Sequence, residues 1–188
     1  MSLAEVDYIS EEENKIEEFQ TNPNRNLTIE VDRQDYIRIP IKTNLLSKKD
    51  DLRSIVNKFV APLYEGGDTL FVSEKAVAVT QGRAISEKEM KIGLSARILW
   101  RFVANVPYGI GLRRPSSMQC AINECGVARI WLAAIAGAFG KLIGRRGDFY
   151  RVAGPQAAMI DAATTSPLQP DCVIMGPKDP DVVSEEIY

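Results

Sequence analysis

Apolar and polar positions alternate in two short runs near the start of the chain, Leu27-Thr-Ile-Glu-Val31 and Tyr36-Ile-Arg-Ile-Pro-Ile41. A period of two predicts strands, and the polar stretch Asp32 to Asp35 supplies the turn of a hairpin. Pro40 lacks the N–H that a ladder needs, so it sets the second strand at an edge or ends it. Thr43 to Leu46 is a connector, after which the period changes. Leu52, Ile55, Val56 and Phe59 share one side of a helix over about 51–59, which Ser47 or Asp50 caps and Pro62 closes.

Gly66-Gly-Asp68 then turns the chain into a run with Leu70, Phe71, Val72, Val77 and Val79, read as a buried strand within a pair around 68–81. Its ends bring Glu74, Lys75, Gln81 and Arg83 into one neighbourhood, more polar equipment than a core strand needs. From Ser86 to about Asn105 the stripe Ile92, Leu94, Ile98, Leu99, Phe102 and Val103 predicts a helix, broken by Pro107 to Leu112. A helix capped by Ser116 or Ser117 runs to Cys125 and stops at Gly126. A third, alanine-rich helix covers 127–143. Arg145-Arg-Gly147 turns into a strand, Phe149 to Ala153, and Cys172 to Met175 reads as a short buried strand. Gly176-Pro-Lys-Asp-Pro180 is a rigid turn before a last helix from Asp181.

The predicted class is α+β: a mixed or antiparallel sheet with an N-terminal hairpin and packed helices. Residues 1–25 form an acidic arm, and 26–188 a single domain. The last helix stops at Tyr188 after barely two turns, which reads as an N-terminal piece of a longer protein or a compact variant.

Composition narrows the chemistry. The 188 residues are 45% hydrophobic and 26% charged, with net charge −2 and pI about 5.4. That balance marks no nucleic-acid binder. Lys and Arg are scattered except at Arg113-Arg114 and Arg145-Arg146. The chain has no histidine, which rules out Ser-His-Asp and Cys-His catalysis. Cys120, Cys125 and Cys172 form no close pair, as expected of a reducing compartment. Residues 1–30 lack the apolar core of a secretory leader, so the expected location is cytoplasmic. Ile130 to Phe139 is about half the length that spans a bilayer, and it reads as a core helix with no membrane role.

Glycine-rich segments need weighing one by one. Gly137-Ala-Phe-Gly-Lys141 lacks the spacing and hydroxyl of a phosphate loop, and its glycines suit close packing. Gly109, Gly111, Arg113 and Arg114 could make an anion site from exposed N–H groups beside two cations, although the segment follows a helix rather than a strand. Asp148, Asp161, Asp171, Asp179 and Asp181 are carboxylates of the kind magnesium and manganese prefer, but they form no motif.

The segment Gly67-Asp68, Glu74-Lys75, Val77 and Gly82-Arg83, preceded by Asp50-Asp-Leu52, resembles the N-terminal signature of the coenzyme F420-0:gamma-glutamyl ligase family over about residues 38–84. The resemblance implies a small-molecule substrate and a homodimer that joins glutamate to a deazaflavin precursor with GTP and Mg2+ or Mn2+. It implies nucleotide contacts from Asn44 and Leu45 in the connector, and from Glu74, Lys75, Gly82 and Arg83. Where the family has a second lysine this chain has Val79, and where it has glutamate before Gly-Arg this chain has Gln81. The family's metal-binding aspartate motif and its Thr-Asp-Thr segment have no counterpart. The same resemblance therefore also implies a non-catalytic module that binds a nucleotide or another phosphorylated ligand.

Overall fold

A computed structural model describes residues 25–103, 111–164 and 170–188. The described residues fall into two compact units, one up to Asn44 and one from Leu45.

In the first unit, β1 (Thr28–Val31) pairs antiparallel with β2 (Gln34–Ile37), Thr28 opposite Ile37 and Val31 opposite Gln34. The turn is only Asp32-Arg33, both at positive φ (53° and 66°), the handedness that suits a two-residue hairpin. Aspartate tolerates that region; arginine there is uncommon. The second strand thus starts earlier than its alternation suggested and ends before Pro40.

The second unit opens with α1 (Leu52–Phe59), whose cap is Asp51. Its carboxylate accepts from the Ser54 N–H at 2.9 Å and from Ser54 Oγ at 2.7 Å. Ser47 and Asp50, the two expected caps, are instead bonded to each other, Ser47 N–H and Oγ donating to the Asp50 carboxylate.

The predicted strand over residues 67–83 is not one. Residues 69–73 are irregular, with Phe71 89% exposed, and Glu74–Thr80 is a helix, α2. Val77 and Ala78 are the two buried residues of this helix, on the side it turns to the core. The alanines within Ala-Val-Ala-Val favour helix over the strand that the valines suggest.

Next, β3 (Ala84–Ser86) pairs antiparallel with β4 (Cys172–Ile174), Ile85 opposite Val173. Asp161 bridges the far side of β4 through both of its backbone bonds to Ile174, 2.8 and 3.0 Å. The helix expected from Ser86 begins only at α3 (Leu94–Leu99), followed by a 3-10 turn over Trp100–Phe102. Residues 87–89 form a separate 3-10 turn. Gly93 starts α3, and its N–H donates to Gln119 Oε1 at 2.8 Å.

The core gathers around α4 (Pro115–Cys125), where Ser116 to Ala121 are all buried. Leu99, Leu112, Met118, Ile130 and Val173 pack there with several alanines. The sequence α5 (Val127–Leu142), α6 (Asp148–Ala153) and α7 (Pro155–Ala158) follows, and α8 (Pro180–Ile187) ends the chain. The predicted strand Phe149 to Ala153 is therefore helical. It lies against the glycines of α5: a Cβ on Gly137 would stand 3.1 Å from Phe149 Cβ, and one on Gly140 would stand 2.2 Å from Asp148 Oδ2. The fold is α+β, and its sheets are small, two-stranded and antiparallel.

Candidate functional site

The end of α2 decides what Gly82-Arg83 does. Gly82 sits at φ +71°, and its N–H donates to Val79 O at 2.9 Å while Arg83 N–H donates to Ala78 O at 2.8 Å. This is the Schellman closure of a helix, which needs a left-handed residue at that point. The glycine serves the helix end.

From there Arg83 enters β3, and its side chain turns inward. Nε donates to Gly176 O at 2.5 Å, and the guanidinium NH2 donates to Glu124 Oε1 at 2.7 Å with the Arg83 side chain 13% exposed. Its backbone oxygen accepts from Met175 N–H at 3.0 Å. Gln81 makes a second clasp on the same turn: Nε2 donates to Lys178 O and Lys178 N–H donates to Gln81 Oε1, both at 2.8 Å. Gly176 cannot carry a side chain, since a Cβ would stand 2.7 Å from Met159 Cβ. Gln81 and Arg83 thus staple the Gly176–Pro180 turn to the end of α2. Glu124 escaped the sequence reading, although it is the only acid between Glu89 and Asp148 and so the natural partner for a buried base in that region.

Lys75 differs. Its Nζ lies 3.0 Å from Asp161 Oδ2, and the two side chains are 44% and 42% exposed. Glu74 beside it is exposed in the first turn of α2. Asn44, in the first unit, and Leu45, in the second, are both exposed.

The alternative anion loop is only partly described: Gly109 lies outside the described residues. Gly111 has φ +50°, with Tyr150 Oη 3.3 Å from where a Cβ would be. Arg114 donates to Ala163 O at 3.1 Å and lies 3.7 Å from Glu87 Oε1, which also accepts from Ser116 Oγ. The chain's own carboxylate thus stands where the arginine would meet an anion. Arg113 is half-buried.

The aspartates considered for metal are dispersed. Asp148 pairs with Arg145 and Arg151, Asp161 with Lys75, and Asp171 with Lys88 at 2.8 Å. Among the described residues no three acidic or cysteine side chains gather to hold a metal ion. Hydrogen bonding to Asp171 holds the Lys88 ammonium above its ordinary range. Burial pushes the Cys120 thiol up to about 12, with Glu124 and Glu87 adding to the rise. That thiol is a packing group, not a nucleophile. Burial also raises the thiols of Cys125 and Cys172.

No protein-family model, curated protein or solved structure matches this chain.

Proposed function

We propose that the chain is a binding module for a phosphorylated small molecule, and that Lys75 meets the phosphate. A nucleoside triphosphate of the kind glutamyl ligases use is the first candidate. The observation that supports this is the contrast between the two bases of the motif. Arg83 is committed to Glu124 and the Gly176 carbonyl, whereas Lys75 and Asp161 face water as a half-exposed pair. An exposed ion pair contributes about 1 kcal/mol or less, so a phosphate can take the lysine from Asp161 at small cost. Glu74, exposed one residue earlier, suits a ribose hydroxyl.

Titration calorimetry with GTP, GDP and ATP, each with and without manganese, tests this. Binding that weakens about tenfold or more in Lys75→Ala is the expected result. No binding by the wild-type chain to any of the three overturns the reading.

Ligase activity is the second reading, favoured by the alignment of Glu74-Lys75 and Gly82-Arg83 with the family motif. In it GTP phosphorylates the acceptor carboxylate, and the amine of glutamate attacks the acyl phosphate and expels phosphate. Phosphoryl transfer needs charge placed around the phosphates, and Val79 in place of the second lysine weighs against it. Phosphate release from GTP that requires both glutamate and a deazaflavin acceptor would favour this reading over simple binding.

A further inference from the structure

The long helix α5, expected in the core, is buried on one side only. Ile130, Ala133 and Gly140 face inward. Trp131, Leu132, Ile135, Phe139 and Leu142 are exposed, Phe139 by 66% and Leu142 by 81%. At 100° per residue these five fall in one arc of roughly 100°, along a helix about 24 Å long. Arg129, the one charge between Val127 and Gly140, turns away and donates to Val152 O at 2.9 Å. Trp131 Nε1 donates to Ser95 Oγ at 3.2 Å, which brings α3 against this end of α5, and Leu94, the residue before Ser95, is exposed as well. Contiguous apolar surface of this kind marks an interaction site.

Charge says what it meets. The scatter of Lys and Arg hides an asymmetry: residues 91–151 carry ten basic and two acidic side chains, and the rest of the chain thirteen basic and twenty-three acidic. Both acids of the basic stretch are taken, Glu124 by Arg83 and Asp148 by Arg145 and Arg151. Arg97 and Arg101 on α3 and its 3-10 extension, and Lys141 and Arg146 at the far end of α5, are exposed.

We propose that this face docks on an anionic lipid bilayer. The apolar ridge enters the boundary between headgroups and acyl chains, and the basic residues at its two ends meet the headgroups. A second copy joined by a two-fold axis would set the same basic residues against each other. Nucleic acid would satisfy the charges but offers no phase for five aliphatic and aromatic side chains. Side chains this exposed form a ridge, which a soft phase accommodates better than a helical peptide seeking a groove. No single described helix is long and apolar enough to cross a membrane, and lying on a surface requires neither property. This inference is independent of the nucleotide reading.

The test is co-sedimentation of the full chain with vesicles of phosphatidylcholine alone and of phosphatidylcholine mixed with phosphatidylglycerol. Binding to the mixed vesicles only is expected, with a blue-shifted tryptophan emission that Trp131→Phe removes. Phe139→Ser with Leu142→Ser should weaken binding about tenfold or more. Lys141→Glu with Arg146→Glu should weaken it by at least about fivefold per position. All four sites are exposed, so unchanged melting temperatures confirm that the variants fold. No binding to mixed vesicles at low salt overturns the proposal, as does binding that the apolar variant leaves intact. Lipid-free dimers abolished by the same apolar substitutions would assign the face to a second copy and overturn it too.

Discussion

Arg83 serves two acceptors from different parts of the chain, and that makes it the most informative single side chain. Replacing it with alanine leaves Glu124 and the Gly176 carbonyl without their donor in a largely buried setting. A loss of about 2–4 kcal/mol in urea unfolding is expected. Arg83→Lys should recover less than half of it, because an ammonium does not reproduce the planar fork. Cys120 gives a second residue-scale prediction. Its folded value of about 12 lies above the 9.0 of an ordinary thiol, so the folded state holds the proton more tightly. The stability it lends is complete below pH 9 and declines as pH rises from there toward 12. Native protein at pH 8 should leave Cys120 unalkylated until it unfolds, while the partly exposed Cys125 and Cys172 react first. The sequence singled out Gly82-Arg83, but such a dipeptide looks alike as a helix closure and as a phosphate cradle. Only the helical state of the residues before it separates the two.

That ambiguity belongs to the element scale. The alternation Val77, Val79 suggested a strand, yet the alanines between them let the same run coil into α2. Phe149 to Ala153 was misread for a related reason: α6 is fixed by the close approach of α5, which periodicity cannot reveal. Longer elements with clear stops were legible, among them α5, the end of α4 at Gly126, and the hairpin. The α5–α6 contact is testable. Gly140→Ala pushes a methyl into Asp148, whereas the space beside Gly137 is less tight. Overpacking costs about 1–3 kcal/mol and improved helix propensity returns at most about 1. Gly140→Ala should therefore lower the melting temperature more than Gly137→Ala. A Cβ at Gly82 would meet only Lys48 Cβ, at an ordinary contact distance of 3.6 Å, which leaves backbone strain as the cost, and Gly82→Ala should cost about 1 kcal/mol while Gly82→Asn costs less. Ligand affinity should be unchanged in either variant, in contrast to a glycine that touches phosphate.

At the scale of the whole molecule, the α+β class was legible because short alternating runs and helical stripes follow one another along the chain. The sequence set Glu74, Lys75, Gln81 and Arg83 in one neighbourhood as a candidate site, and the structure gives Lys75, Gln81 and Arg83 different partners. Long-range pairing divides it: Arg83 and Gln81 are drawn to Glu124 and the Gly176–Pro180 turn, and Lys75 is left facing water with Asp161. A ligand that binds only the folded chain raises its melting temperature, by about 2.7 kcal/mol of stabilisation at a hundredfold excess over Kd. The decisive measurement is the melting temperature of the wild-type chain and of Lys75→Ala with GTP, GDP and ATP, each with and without manganese. The expected result is a nucleotide-dependent rise in the wild type that Lys75→Ala loses, with the two proteins melting alike when no ligand is present. A wild-type chain whose melting temperature no nucleotide changes, or a rise that Lys75→Ala retains in full, would contradict it.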